Sequence, residues 1–200
     1  MPRTLLALSL LALCTACATG VTHVQLADPQ ANLAPEPAAT VVQLTGVRDA
    51  RPDTTFVGVK KNSRLREVGA AALEGDAALT DVLTAHLTAA FARHGFELRE
   101  ASGGDAPQVE VEIRRFWAEF GPSVFTRYGD AEVELYLRAT PGFDGQPWSQ
   151  VFSGSAEESS QGGAKSLLTA SLNAAYAEAL GQLEAELARG SLRDLLNADR

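Results

Sequence analysis

The chain has 200 residues, with 17 Lys and Arg against 25 Asp and Glu, a formal net charge of −8. No Lys/Arg run or basic patch is visible, which excludes a nucleic-acid partner, because neutralising phosphates takes clustered positive charge. Beyond the N-terminus no apolar stretch reaches the about eighteen residues that a membrane-spanning helix needs, and the length suits one domain with one core.

Arg3 is the only charge in residues 1–17. An apolar run from Leu5 to Leu13 follows it, then Cys14, Thr15, Ala16 and Cys17. The run is too short to span a ~30 Å hydrocarbon layer. A leading positive charge, an apolar core and small residues, in that order, are the pattern of a secretory signal. Its end resembles a lipoprotein lipobox, in which small residues precede an acceptor cysteine. Ala16 fits the position before the cut, and Cys14 stands where a leucine is usual. The resemblance implies that residues 1–16 are removed as a signal peptide and that Cys17 carries the lipid. Acyl chains at ~0.8 kcal/mol per buried CH₂ then hold the protein at the membrane. Ala18 in place of Asp after the cysteine implies an outer-membrane address, on the periplasmic face. The alternative is an ordinary cleaved signal with two incidental cysteines. With residues 1–16 gone no cysteine pair is left for a disulfide, so packing alone must hold the core.

Residues 17–38 are expected to be the lipidated N-terminus and a flexible tether. Pro29, Pro35 and Pro37 break regular structure, and about twenty such residues reach near ~25 Å. Residues 39–200 are expected to form a single α+β domain. Val41, Val42, Leu44 and Val47 mark a first, central strand that stops at Asp49-Ala50-Arg51-Pro52. Weaker strands over 55–60 and 64–68 flank a turn at Lys60-Lys61-Asn62-Ser63. A helix capped by Asp76 shows Leu79, Val82, Leu83, His86, Leu87, Ala90 and Phe91 on one face. Gly95 supplies its left-handed stop, and a short strand runs from Phe96 to Arg99.

The most regular strand alternates Val109, Val111 and Ile113 with Glu110, Glu112 and Arg114. Its phase then flips to Phe116, Ala118 and Phe120, which predicts a bulge near Arg114-Arg115. After Gly121-Pro122 a second strand alternates through Ala131, Val133, Leu135 and Leu137, and a third spans 148–157. A long helix from 164 to 189 carries Leu168, Leu172, Ala175, Ala179, Leu183 and Leu187 on one stripe. Ser191 with Asp194 resembles a cap for a short terminal helix. The order predicts a mostly antiparallel sheet with two amphipathic helices packed on one face.

These features together resemble the YajG-like family of Gram-negative envelope lipoproteins. The likeness is carried by the lipobox at Cys17, the Val41-Val42-Gln43-Leu44 strand running into Asp49-Ala50-Arg51, and Ala92-Arg93-His94-Gly95-Phe96. The strand from Gln108 to Ile113, Arg127-Tyr128 before Ala131-Glu132-Val133, and the leucine-rich tail extend it. It implies an outer-membrane lipoprotein with a helix-on-sheet fold and no particular reaction.

Residues able to carry chemistry are sparse. His86 and His94 are eight apart on one helix, with no spacing for a metal site, and neither a metal nor another cofactor is expected. Ser153-Gly154-Ser155 and Ser159-Ser160 have no histidine placed to activate them. Gly162-Gly163-Ala164-Lys165-Ser166 lacks the first glycine of a phosphate loop. Glu110/Glu112 and Glu132/Glu134 fall on a wet strand face, and Asp49 with Arg51 is expected to fix a turn. The anomaly is aromatic: Phe116, Trp117, Phe120, Phe125 and Tyr128 flank one turn on both strand parities. They are the candidate contact with an envelope protein partner or the lipid surface. The function expected is that of a non-catalytic accessory or binding module, the alternatives being a lipid- or glycan-binding lipoprotein and, further off, an envelope hydrolase.

Replacing Cys17 with Ser is expected to abolish incorporation of labelled palmitate and to release the chain into the soluble periplasm. Label retained on that variant would show that Cys17 is not the acceptor.

Overall fold

The computed structural model describes residues 20–102, 105–123, 125–142 and 145–197. Cys17 and the 1–16 segment lie outside the described residues. The elements are β1 (Gly20–Val24), β2 (Thr40–Asp49), β3 (Gly58–Lys61), β4 (Glu67–Leu73), α1 (Leu79–Arg93) and β5 (Phe96–Glu100). β6 (Gln108–Pro122), β7 (Arg127–Thr140), β8 (Trp148–Ser160), α2 (Ala164–Arg189) and α3 (Ser191–Leu196) follow.

β6 organises the sheet. Along one edge it pairs antiparallel with β7 from Gln108↔Thr140 to Pro122↔Arg127, and β7 pairs with β8 in the same way. Along its other edge it has two successive partners. Its first half runs parallel to β2 and its second half, at Ala118–Phe120, parallel to β3. β5 extends the first branch alongside β2, while β4 and then β1 extend the second. The sheet is therefore mixed, with four parallel and three antiparallel pairings, and not mostly antiparallel as expected. Alternating polarity reports which side of a strand is buried and is blind to the direction of its neighbour.

The fork leaves a gap in the β6 edge. Ala50 N–H bonds to the Ile113 carbonyl before it, and Ala118 N–H bonds to the Val57 carbonyl after it. The buried Arg51 guanidinium fills the gap. Its Nη1 donates to the carbonyls of Phe116 at 3.1 Å and Phe56 at 2.8 Å, and its Nε and Nη2 clamp the Asp49 carboxylate at 2.9 and 2.7 Å. Burial alone would raise the Asp49 carboxyl, but these bonds and the Arg51 charge outweigh it and hold it below the usual range. Opposite the fork, Ile113 pairs with Leu135 and Arg115 with Glu134, so Arg114 is the extra residue of a bulge. The expected phase flip follows: Val109, Val111 and Ile113, then Phe116 and Ala118, all face the core.

Both helices cover one face, α1 over β2 and β5 and α2 over β6, β7 and β8. Tyr176 sits at the centre of the core, with its ring 6.0 Å from Phe116 and 5.7 Å from His86. α2 comes close to the sheet because Gly129 and Gly154 lie beneath it; a Cβ at Gly129 would stand 2.8 Å from the Leu167 carbonyl oxygen, and one at Gly154 would strike that of Ala175. On the β8 edge, Gln182 and Glu178 of α2 accept the Ser153 and Ser155 N–H groups, which masks an otherwise open strand.

Three local expectations are corrected. The stretch expected to be a free tether carries β1, which pairs with β4 and buries Val24 completely. Its continuation is held by Asn173, which accepts from Ala27 N–H and donates to the Gln25 carbonyl. Asp76 does not cap α1; the helix starts at Leu79 with no side-chain cap. Ser191 does not cap α3 either, and its hydroxyl accepts the Trp148 indole N–H at 2.8 Å. Gly95 does stop α1, at φ +77°, and Phe96 packs edge-on to Phe91 at 6.2 Å.

Arg51→Met removes every donor at the fork and leaves Asp49 unpaired, which is expected to cost about 3 kcal/mol and to lower Tm by about 6–12 °C. The exposed Arg48→Gln, which only breaks a surface pair with Glu112, is expected to move Tm by less than about 2 °C. Equal shifts for the two variants, read by calorimetry, would remove Arg51 from its structural role.

Candidate functional site

The face of the sheet away from the helices carries the groups free to meet a partner. The bulge turns both Arg114 and Arg115 outward. Arg114 lies 4.0 Å over the Tyr136 ring and donates to Glu112 at 3.2 Å, and Arg115 pairs with Glu132. Next along β6, Trp117 is half-buried and separates two clefts. One, of about 450 Å³, is bounded by Arg114, Arg115 and the loop residues Pro52 and Asp53. The other, of about 430 Å³, lies over Phe56, Val59 and Ala70. Asp53 and Trp117 border both. The loop that Arg51 pins to the fork is thus also the wall of both clefts. An indole flanked by two guanidinium groups and a carboxylate can stack on a flat or sugar-like group while its charged neighbours fix orientation.

The aromatic residues expected to form one patch are divided by the fold. Phe116 is fully buried against Tyr176 and is core, which corrects its assignment to a contact surface. Phe120 is partly buried and packs on the same core, a second correction. The strand pleat sends these two inward and Trp117 outward. Tyr128, half-buried, lies across Gly121, its partner in register. Phe125 stands at the turn, 86% exposed. Phe125 is therefore at the surface, and Trp117 and Tyr128 are half-exposed. The clefts also use Asp53, Phe56 and Arg115, which the sequence pattern did not single out. The loop's only signal was its Asp-Pro-rich composition after Arg51.

A group of shifted titratable residues lies inside the protein, between β1, α1 and α2. Buried Arg93 donates through Nε and Nη2 to Glu184, at 2.9 and 2.6 Å, and through Nη1 to Asp28 at 2.9 Å. Burial alone would raise the Asp28 carboxyl, but hydrogen bonds from Arg93 and the Gln30 N–H, with the Arg93 charge, hold it low. Tyr176 hydroxyl is pushed far up by burial and lies 3.2 Å from His86 Nδ1. Burial pushes the His86 imidazole down against the opposing pull of Asp28, and it pushes His94 down against Glu184 and Glu36. His86 is a half-buried histidine partnered by the Tyr176 hydroxyl. Among the described residues no group of three or more His, Cys, Asp or Glu can hold a metal ion, and no helix is long and apolar enough to cross a membrane.

No family model matches the chain, and no curated protein matches it. Solved structures do. The chain is similar to a Helicobacter pylori homolog of a neuraminyllactose-binding hemagglutinin, with a TM-score of 0.50 at 9% identity over 88% of this chain and 98% of that one. Its neighbours include a Xanthomonas campestris protein of family DUF330, with a TM-score of 0.47 at 16% identity over 86% and 93%. Lipoprotein GNA1162 of Neisseria meningitidis matches with a TM-score of 0.36 at 11% identity over 74% and 95%. The likeness to the Helicobacter protein is one of fold alone.

Both shifted histidines have folded pKa values below the unfolded value of 6.5. Between those values the unfolded chain binds more protons, so stability falls as pH drops through about 6.5. Tm is expected to be lower at about pH 5.5 than at about pH 7.5, with part of the slope lost in His86→Gln. A flat profile, or a slope untouched by the substitution, would contradict this.

Proposed function

We propose that the chain is a lipid-anchored periplasmic protein of the outer membrane that acts as a non-catalytic binding module of the cell envelope. The YajG-like resemblance belongs to this proposal and rests on the sequence pattern. The observation that carries the anchor is the signal-like segment ending in Ala16-Cys17. The observation that supports binding is the pair of clefts around Trp117, on the sheet face the helices leave uncovered.

A non-catalytic role is supported by where the shifted groups lie. Arg93, Asp28, His86 and Tyr176 are hydrogen-bonded beneath the surface and line neither cleft, and Asp49 is tied to the Arg51 guanidinium. Perturbed groups in such a place serve packing, whereas a reaction needs them facing a substrate. A glycan ligand is the second reading. It is favoured by the indole standing between open clefts with Arg114, Arg115 and Asp53 at its sides. The neuraminyllactose named in the Helicobacter homolog's description is an acidic sugar of the kind that arrangement suits.

The test is affinity capture of the tagged protein from crosslinked envelopes, comparing the natural chain with Trp117→Ser. Capture of one partner near stoichiometry, reduced about ten-fold by the substitution with Tm almost unmoved, is the expected result. Capture that ignores Trp117 would sink the protein-partner reading. Binding of an acidic oligosaccharide to the purified protein, lost in the same variant, would favour the glycan reading.

A further inference from the structure

The register brings the start of the described chain to one end of the sheet together with two exposed turns. Gly20 pairs with Gly69, Gly69 with Lys60, and Lys60 with Phe120. Just beyond Lys61 the chain turns between β3 and β4, and just beyond Pro122 it turns between β6 and β7. Because β3 runs parallel to β6, both turns lie at the same end. β1 runs parallel to β4, so the chain before Gly20 also leaves there. Cys17 precedes Gly20 by three residues, which reach at most about 11 Å when fully extended.

Each turn holds one large apolar side chain out in solvent. Leu65 is 66% exposed and Phe125 is 86% exposed. Leu65 has φ +56°, a left-handed conformation that leucine disfavours. It is imposed by Asn62, whose Oδ1 accepts the Arg64 and Arg66 N–H groups and whose carbonyl accepts that of Leu65. The turn at Phe125 is braced by Gln161, which donates to the Phe125 carbonyl at 3.0 Å, and by Ser123 N–H on the Thr126 carbonyl. Two turns whose hydrogen bonds leave a large apolar side chain in solvent are not what a free surface requires.

The charge here runs against that of the whole molecule. Residues 60–66 contain Lys60, Lys61, Arg64 and Arg66 and no acid, in a chain of net charge −8. Lys61 pairs with Glu119, whereas Arg64 and Arg66 are exposed and have no ion pair among the described residues. Exposed Arg127 flanks the second turn. The fold adds Arg127 of the second hairpin to the basic stretch 60–66 of the first.

We propose that this end of the sheet docks on the phospholipid bilayer, with Leu65 and Phe125 entering the acyl boundary and Arg64, Arg66 and Arg127 meeting headgroup phosphates. This rests on the anchor reading above, which puts the same end within about 11 Å of the lipid-bearing residue. Apolar insertion and phosphate contact then fix the orientation that a lipid chain alone leaves free. The uncovered sheet face, with its Trp117 clefts, is thereby held at a constant tilt to the membrane.

The experiment uses the lipidated full-length protein in vesicles of phosphatidylethanolamine and phosphatidylglycerol. An environment-sensitive fluorophore is attached at Leu65→Cys, Phe125→Cys or, as a control, Leu33→Cys, which is exposed at the opposite end. The thiol of Cys17 is consumed by the lipid, so each label is unique. Quenching by a lipid-borne nitroxide is expected to be about three-fold or more stronger at 65 and 125 than at 33. Arg64→Gln with Arg66→Gln should weaken it. Leu65→Asn, which accepts the left-handed backbone, should leave Tm unchanged while reducing quenching at 125.

Equal quenching at all three positions, on protein whose acyl mass is confirmed, would overturn the docking and leave the anchor reading intact. A mature chain without acyl mass would overturn both. Labels wet on pure lipid but shielded in native envelopes would assign this end to a protein partner and overturn the bilayer proposal.

Discussion

A single guanidinium lets one strand carry two different neighbours along the same edge. Where β2 leaves β6 and β3 has not yet joined it, the Phe116 carbonyl would face a gap, and Arg51 closes that gap while holding Asp49. A buried backbone acceptor without a partner is costly, and a buried arginine without a carboxylate more so. Each therefore needs the other. The same clamp fixes the 50–57 loop, and that loop is the outer wall of both Trp117 clefts. The gap in the β6 edge and the clefts around Trp117 thus depend on one side chain.

Elements defined by local periodicity were legible in the sequence. The leucine spacing of α2 gave its span, the parity change between Ile113 and Phe116 gave the bulge, and Gly95 gave the end of α1. Features set by distant residues were not. The nearly continuous apolar run of Val41–Val47 marks a buried strand but does not name its neighbours. β1 is five residues long with one fully buried side chain, Val24, and follows no recognisable period. Arg93 meets Asp28 and Glu184 across 65 and 91 residues. Of the candidate site, Trp117 was singled out only as part of an aromatic cluster. Its separation from Phe116 depends on the pleat, and the exposure of Leu65 depends on a backbone angle that no composition reveals.

The three regions divide the work. The interior spends its charged groups on tying the N-terminal segment to both helices, since Asp28 follows β1, Arg93 ends α1 and Glu184 lies on α2. This ties the start of the chain to the core, where a loose tether was expected. One end of the sheet gathers the exposed apolar tips and the unpaired arginines. The uncovered face presents aromatic and charged groups around Trp117. In the proposed lipoprotein this arrangement separates attachment from recognition, with a rigid sheet between them.

The most direct measurement is site-specific photo-crosslinking in living cells from Asp53, which borders both clefts, with Leu33 as the control position. A discrete adduct formed from position 53 and absent from position 33 is the result this account predicts. The same diffuse pattern from both positions would contradict it, because the clefts would then have no occupant of their own.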